Sequence, residues 1–149
     1  MKKIKVIVII ALLLVSGCVI FFNSRSVNII DAHYDQYSAS IIVDHLPLTD
    51  DNKINWWKKN QKSIMDKYHI PVKSDEGILK VYIWAYGEGY MERAKYDRLC
   101  FDDMKEKNNC IEKNQLMNID TDREGNIIYS FEKNSYLQKK EGKLIKLPD

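Results

Sequence analysis

The sequence predicts an α+β fold: a mostly antiparallel sheet with one principal helix, preceded by an amino-terminal membrane segment. Three observations predict it. A helical apolar period sits between two blocks of strand-like alternation. The last third alternates short apolar runs with turn residues, as a meander does. The chain also opens on a basic cluster followed by an unbroken apolar run.

That opening reads MKKIKVIVIIALLLVSGCVIFFNSRSVN. Lys2, Lys3 and Lys5 precede an apolar stretch from Val6 to Phe22, and positive charge on the short side holds that end in the cytoplasm. Seventeen residues at a rise of ~1.5 Å reach about 25 Å, the lower edge of what crosses a ~30 Å hydrocarbon core. Lys5 and Arg25 can snorkel to close the gap. A second reading competes. Val15-Ser16-Gly17-Cys18 has the build of a lipoprotein cleavage box, which would place a lipid on Cys18. Against it, Val19 to Phe22 prolong the apolar run where a polar tether would be expected. The spanning helix is favoured, attachment through Cys18 is the alternative, and a plain cleaved signal stands third. The first two divide the chain alike: residues 1–23 form the anchor and 24–149 an exported domain in the periplasm. With the helix, the protein is single-pass in the inner membrane.

The 126 residues after the anchor suffice for one hydrophobic core. They carry 20 basic and 21 acidic side chains. A near-neutral domain speaks against nucleic acid as a partner, which would call for a basic stripe, and against a polybasic membrane patch.

The elements follow in order. SVNIIDAHYD and SASIIVDHLPL read as two strands around a Tyr-Asp-Gln-Tyr turn region, the second half-buried by its alternation. LTDDNKINWWKKNQKSIMDKYHIP reads as the principal helix. Thr49 or Asp50 caps it, and Asp51 suits the positive end of its dipole. Ile54, Trp57, Ile64, Met65 and Tyr68 share a face, Trp56 sits beside it, and Pro71 stops the helix. GILKVYIWAYGEGY is the clearest strand. Val81, Ile83 and Ala85 point one way, and Tyr82, Trp84 and Tyr86 the other. The aromatic row is expected to lie under the helix; exposed, it would be a binding or glycan-stacking platform. A partner strand is expected around Tyr96 to Phe101. The meander then runs QLMNID, IIYSF, SYLQ and KLIKL, with Gly125 and Gly142 placed where turns need positive φ.

Cys100 and Cys110, in YDRLCFDDMKEKNNCIEK, are read as a structural disulfide. Closing such a loop stabilises by about 3 kcal/mol in the chain-entropy model. Zinc sites favour closer spacing and more ligands, and a redox pair more often reads Cys-x-x-Cys. His33 and His45 meeting across strands, with Asp31 or Asp44, would make a metal site only if register brought them together; ordinary hydrogen bonding is the favoured role. GEGY lacks the lysine and glycine-rich continuation of a phosphate loop, and no nucleophile elbow or His-Glu-x-x-His pair occurs. Asp97, Asp102, Asp103, Glu106 and Glu112 cluster round the cysteines. They read as a solvated face. Their sharper use is docking, with Asp102, Asp103 and Glu106 on a pinned loop as the candidate partner-binding residues. No catalytic residue, metal or cofactor is expected.

INWWKKN, YHIP, GEGY, KYDRLCFDDM and NCIEK, in that order, resemble the "domain of unknown function 943" family of membrane proteins of enteric bacteria. The likeness runs essentially the whole chain. It implies one amino-terminal membrane segment, brings no established enzyme activity, and suggests an immunity role. The combined expectation is a membrane-anchored protein-binding module, in its concrete form an immunity protein against a secreted toxin. An assembly factor of an envelope complex is the alternative, and a cell-wall hydrolase a more distant one.

Overall fold

The computed structural model describes residues 1–148. Its first element is α1 (Lys2–Ser24). This helix has 23 residues, so at ~1.5 Å per residue it is about 34 Å long, longer overall than a ~30 Å core. It extends beyond the apolar run at both ends, but mostly through lysines, Asn23 and Ser24, so the apolar length stays that of Val6 to Phe22 and Lys5 and Arg25 still have to snorkel. The rest of the chain leaves its apolar stretch bare: Ile7, Leu13, Ile20 and Phe21 all stand exposed. An apolar rod this bare in water is what a bilayer would bury.

The domain is a seven-stranded sheet built from β1 (Ile29–Tyr34), β2 (Ser38–Val43), β5 (Lys80–Ala85), β8 (Gln115–Thr121), β9 (Ile127–Ser130), β10 (Ser135–Gln138) and β11 (Leu144–Lys146), in that spatial order. Only β2 and β5 pair in parallel, because α2 (Asp50–Lys67) carries the chain back between them. Every other pair in the sheet is antiparallel. A short ladder of β3 (Lys73–Ser74) and β4 (Gly77–Ile78) leads into β5. The turns after β8 and β10 use Gly125 and Gly142 at φ 82° and 91°, as the meander requires.

α2 begins where its cap residues lie. The Thr49 hydroxyl accepts from the Asn52 amide, and Asp50 and Asp51 occupy the first turn. It ends in a Schellman arrangement: the Ile70 amide donates to the Met65 carbonyl, and His69 holds φ 54°, a position glycine usually fills. Ile54, Trp57 and Ile64 then face Ala39, Ile41, Val43, Val81, Ile83, Met117, Ile119 and Tyr129 in the main core. Trp56, Met65 and Tyr68 pack half-buried at its margin.

Two expectations change on the opposite face. Ile41, Ile42 and Val43 are all buried, so β2 is covered on both sides at its end rather than half-buried. The aromatic row does not lie under the helix. Trp84 and Tyr86 point away from it, into a second cluster with Ile42, Phe101 and Ile111, while Tyr82 remains half-buried. What covers that cluster is a hairpin of β6 (Arg98–Cys100) and β7 (Cys110–Glu112). The strand expected near Tyr96 to Phe101 therefore exists but pairs with β7, and β8 takes the place beside β5. The cause is local: Cys100 and Cys110 are direct cross-strand partners, so the ten-residue separation closes on itself.

Candidate functional site

The β6–β7 hairpin and its loop, 101–109, are tied at several points. Cys100 and Cys110 are joined by a disulfide, with Cα atoms 4.0 Å apart. Inside the loop, the Phe101 amide donates to the Asn109 carbonyl at 2.9 Å, and Asn109 Nδ2 returns a bond to the Phe101 carbonyl at 3.1 Å. Met91 and Cys110 exchange both backbone bonds, which fastens β7 to the preceding segment.

A polar chain fastens the loop to the sheet. His33, on β1, is buried at 6% exposure. Its Nδ1 lies 2.7 Å from Asp103 Oδ2 and its Nε2 lies 2.9 Å from the Tyr90 hydroxyl. The Tyr90 hydroxyl in turn lies 3.2 Å from Asp31 Oδ2. The imidazole stacks on Phe101, with centroids 3.9 Å apart and planes 15° from parallel, and Tyr90 meets both rings edge-on. Burial, then the carboxylate of Asp31, pushes the Tyr90 phenol well above its ordinary range, so its proton stays on. That single hydrogen can serve one acceptor. Given to Asp31, it requires both His33 nitrogens to donate and the ring to be cationic between two carboxylates. Given to Nε2, it leaves the ring neutral. Either arrangement satisfies a buried histidine and ties β1, Tyr90 and the loop together.

The candidate partner-binding residues fall on this loop in three different settings. Asp103 is turned onto His33 and remains about half-exposed. Asp102 projects into solvent with Arg93 Nη2 3.1 Å away. Glu106 is exposed beside a shallow cleft of about 430 Å³ that Asp31, His33 and Asp103 also line. Behind Phe101, a second cleft of about 260 Å³ is bounded by His33, Ser40 and Asp103. Asp97 pairs with Lys113 at 2.6 Å and Glu112 with Arg98 at 3.2 Å. Most of the acidic cluster is thus charge-balanced, and the loop offers a mixed polar surface instead of a uniformly negative one.

His33 and His45 do not meet. His33 is in register with Ser40, whereas His45 follows the far end of β2, with Nδ1 2.8 Å from Asp44 Oδ1. Among the described residues, no group of three or more potential ligands is placed to hold a metal ion. Cys18 lies within α1 as an exposed free thiol. The His33–Asp103–Tyr90 grouping lies outside what spacing could reveal, since its members are 57 and 70 residues apart. The only hint was an aromatic and acidic composition near the cysteines.

No curated protein and no solved structure matches this chain. Residues 1–148 match the family described as "Enterobacterial putative membrane protein (DUF943)", and with a bare apolar helix at its amino terminus the chain belongs to that family.

Proposed function

We propose that this is an inner-membrane protein that displays a binding domain in the periplasm and engages another protein through the 101–109 loop. The concrete form of the proposal is an immunity-type protein that occludes a toxin acting in the periplasm or on the inner membrane. The basic leader supports the orientation. One observation carries the binding role: the loop is exposed at Asp102, Asp103 and Glu106 yet fixed at its base by the disulfide and near its start, at Phe101 and Asp103, by His33. A surface already ordered loses little conformational freedom on binding. Anchoring adds effective concentration at the membrane where such a toxin would act.

The test is capture with the full chain in mild detergent, its disulfide formed, against secretions of competing relatives and against envelope extracts of its own strain. A single stoichiometric secreted protein, lost when Asp102 and Glu106 are both changed to Ala, is the expected result. Capture of resident envelope proteins by both forms alike would replace immunity with an assembly role and remove the loop as the contact.

A further inference from the structure

We infer that the loop at 46–49 and the first turns of α2 form a phospholipid-contacting surface that seats the domain on the bilayer from which α1 emerges. The inference rests on α1 being the membrane anchor and adds to it which side of the domain touches lipid.

The apolar surface of α1 ends with Phe21 and Phe22, both exposed and packed edge-to-face at 5.7 Å. With these rings at the hydrocarbon boundary, Asn23 lies only ~1.5 Å further along the axis, within the headgroup layer. Asn23 is not free there. Its Oδ1 accepts from the Leu48 amide at 2.8 Å. That bond puts the 46–49 loop at the same depth as the helix end, and Val27 packs against the main core only three residues after Ser24. No slack tether separates domain from membrane.

The side chains brought to this level suit an interface. Leu46 and Pro47 turn inward, while Leu48 projects with 55% of its surface exposed. Beside it is a cleft of about 440 Å³ whose walls include Arg25, Asn55, Trp56 and Lys59. Half-buried indole, projecting leucine and two cations are the combination that sits at a membrane surface: the apolar groups reach the acyl boundary, and the guanidinium and ammonium meet phosphodiester oxygens. A near-neutral domain without a polybasic patch would not be recruited to a membrane by charge alone. Here the anchor supplies recruitment, and the surface supplies orientation.

The experiment uses the full chain with Cys18→Ser, in vesicles of phosphatidylethanolamine and phosphatidylglycerol. An environment-sensitive fluorophore is placed on Leu48→Cys or, for comparison, on Tyr37→Cys in the turn at the opposite end of β1 and β2. Quenchers carried on lipid acyl chains should dim the label at 48 several-fold more than that at 37. Aqueous iodide should show the reverse order. Arg25→Gln with Lys59→Gln should reduce lipid quenching at 48, and added inorganic phosphate should not. Equal quenching at the two positions, or a label at 48 reached only by iodide, would overturn the seating surface. Release of the protein by alkaline carbonate would overturn the anchor as well; retention together with a water-exposed label at 48 removes the surface alone.

Discussion

On one face of the sheet, α2 contributes Ile54, Trp57 and Ile64 to a core of fourteen buried residues. On the other, a hairpin of two three-residue strands covers a cluster with only three. The first cover is held by apolar area, at roughly 25 cal/mol for each Å² removed from water. The second has fewer fully buried residues, and its place is fixed in addition by a disulfide, the His33–Asp103 contact and the Tyr90 bridge. One face is therefore expected to share the stability of the whole domain. The other can loosen alone, and it is the face that carries the loop proposed to bind.

The largest effect should come from the helix side. Ile64 is 1% exposed; Ile64→Ala leaves a cavity and costs about 2–5 kcal/mol. Urea unfolding followed by far-ultraviolet circular dichroism should show one transition moved to lower urea. Amide exchange should rise throughout, hairpin included, because no part of the sheet survives loss of its core. A hairpin that keeps its protection while the sheet loses it would break the comparison.

Next is the disulfide. Replacing Cys100 and Cys110 together by Ser releases a closed loop worth about 3 kcal/mol in the chain-entropy model, and it places a hydroxyl where Cys110 is fully buried. The expected result is faster exchange and protease nicking confined to residues 92–112, with α2 amides unchanged. Equal losses on both faces would mean that the two covers fold as one unit.

Much of the helix face was legible because its signals are local. Thr49 caps through an amide donor only three residues away, the apolar positions of α2 recur at helical spacing, and each meander strand pairs with its neighbour in sequence. Cys100 and Cys110 could be matched for the same reason. The other face depends on contacts across 57 to 70 residues, where spacing carries no information. The aromatic alternation of β5 showed that Trp84 and Tyr86 share a side, but not which element covers that side. The helix is the cover that periodicity points to, since a three-residue strand closed by a disulfide has almost no periodicity to read.

A smaller effect is expected from His33→Phe. Phenylalanine keeps a ring against Phe101 but leaves Asp103 and the Tyr90 hydroxyl without the imidazole. Losing those bonds costs about 1–3 kcal/mol for each partner left desolvated. Asp103 is half-exposed and recovers part of this from water. Nuclear magnetic resonance should show broadened or shifted resonances for 101–109, with the core resonances in place. Partner capture should weaken along with them, since the loop would then have to be ordered on binding.

The smallest effect tests whether the two faces share a hinge. Asp44, just past β2, accepts from the Asn28 backbone amide and from Asn28 Nδ2, both at 2.9 Å, and so clasps the start of β1 to the end of β2. Burial raises its pKa, but the two Asn28 bonds and neighbouring His45 outweigh that and leave it below the usual 3.8. A depressed carboxylate contributes stability that is complete above the unfolded value and is lost as the pH falls through the folded one. Asp44 is partly open to solvent, so screening holds the contribution to about 1 kcal/mol or less. Asp44→Asn should therefore be slightly less stable than the unchanged chain at neutral pH, and the gap should close as the pH falls below the ordinary aspartate range. Because β1 and β2 lie behind both covers, that difference should appear equally in α2 and in the hairpin when each is followed by hydrogen exchange. A pH-dependent gap in the hairpin alone would show that the clasp belongs to the face that opens, and that β1 moves with the loop it holds through His33.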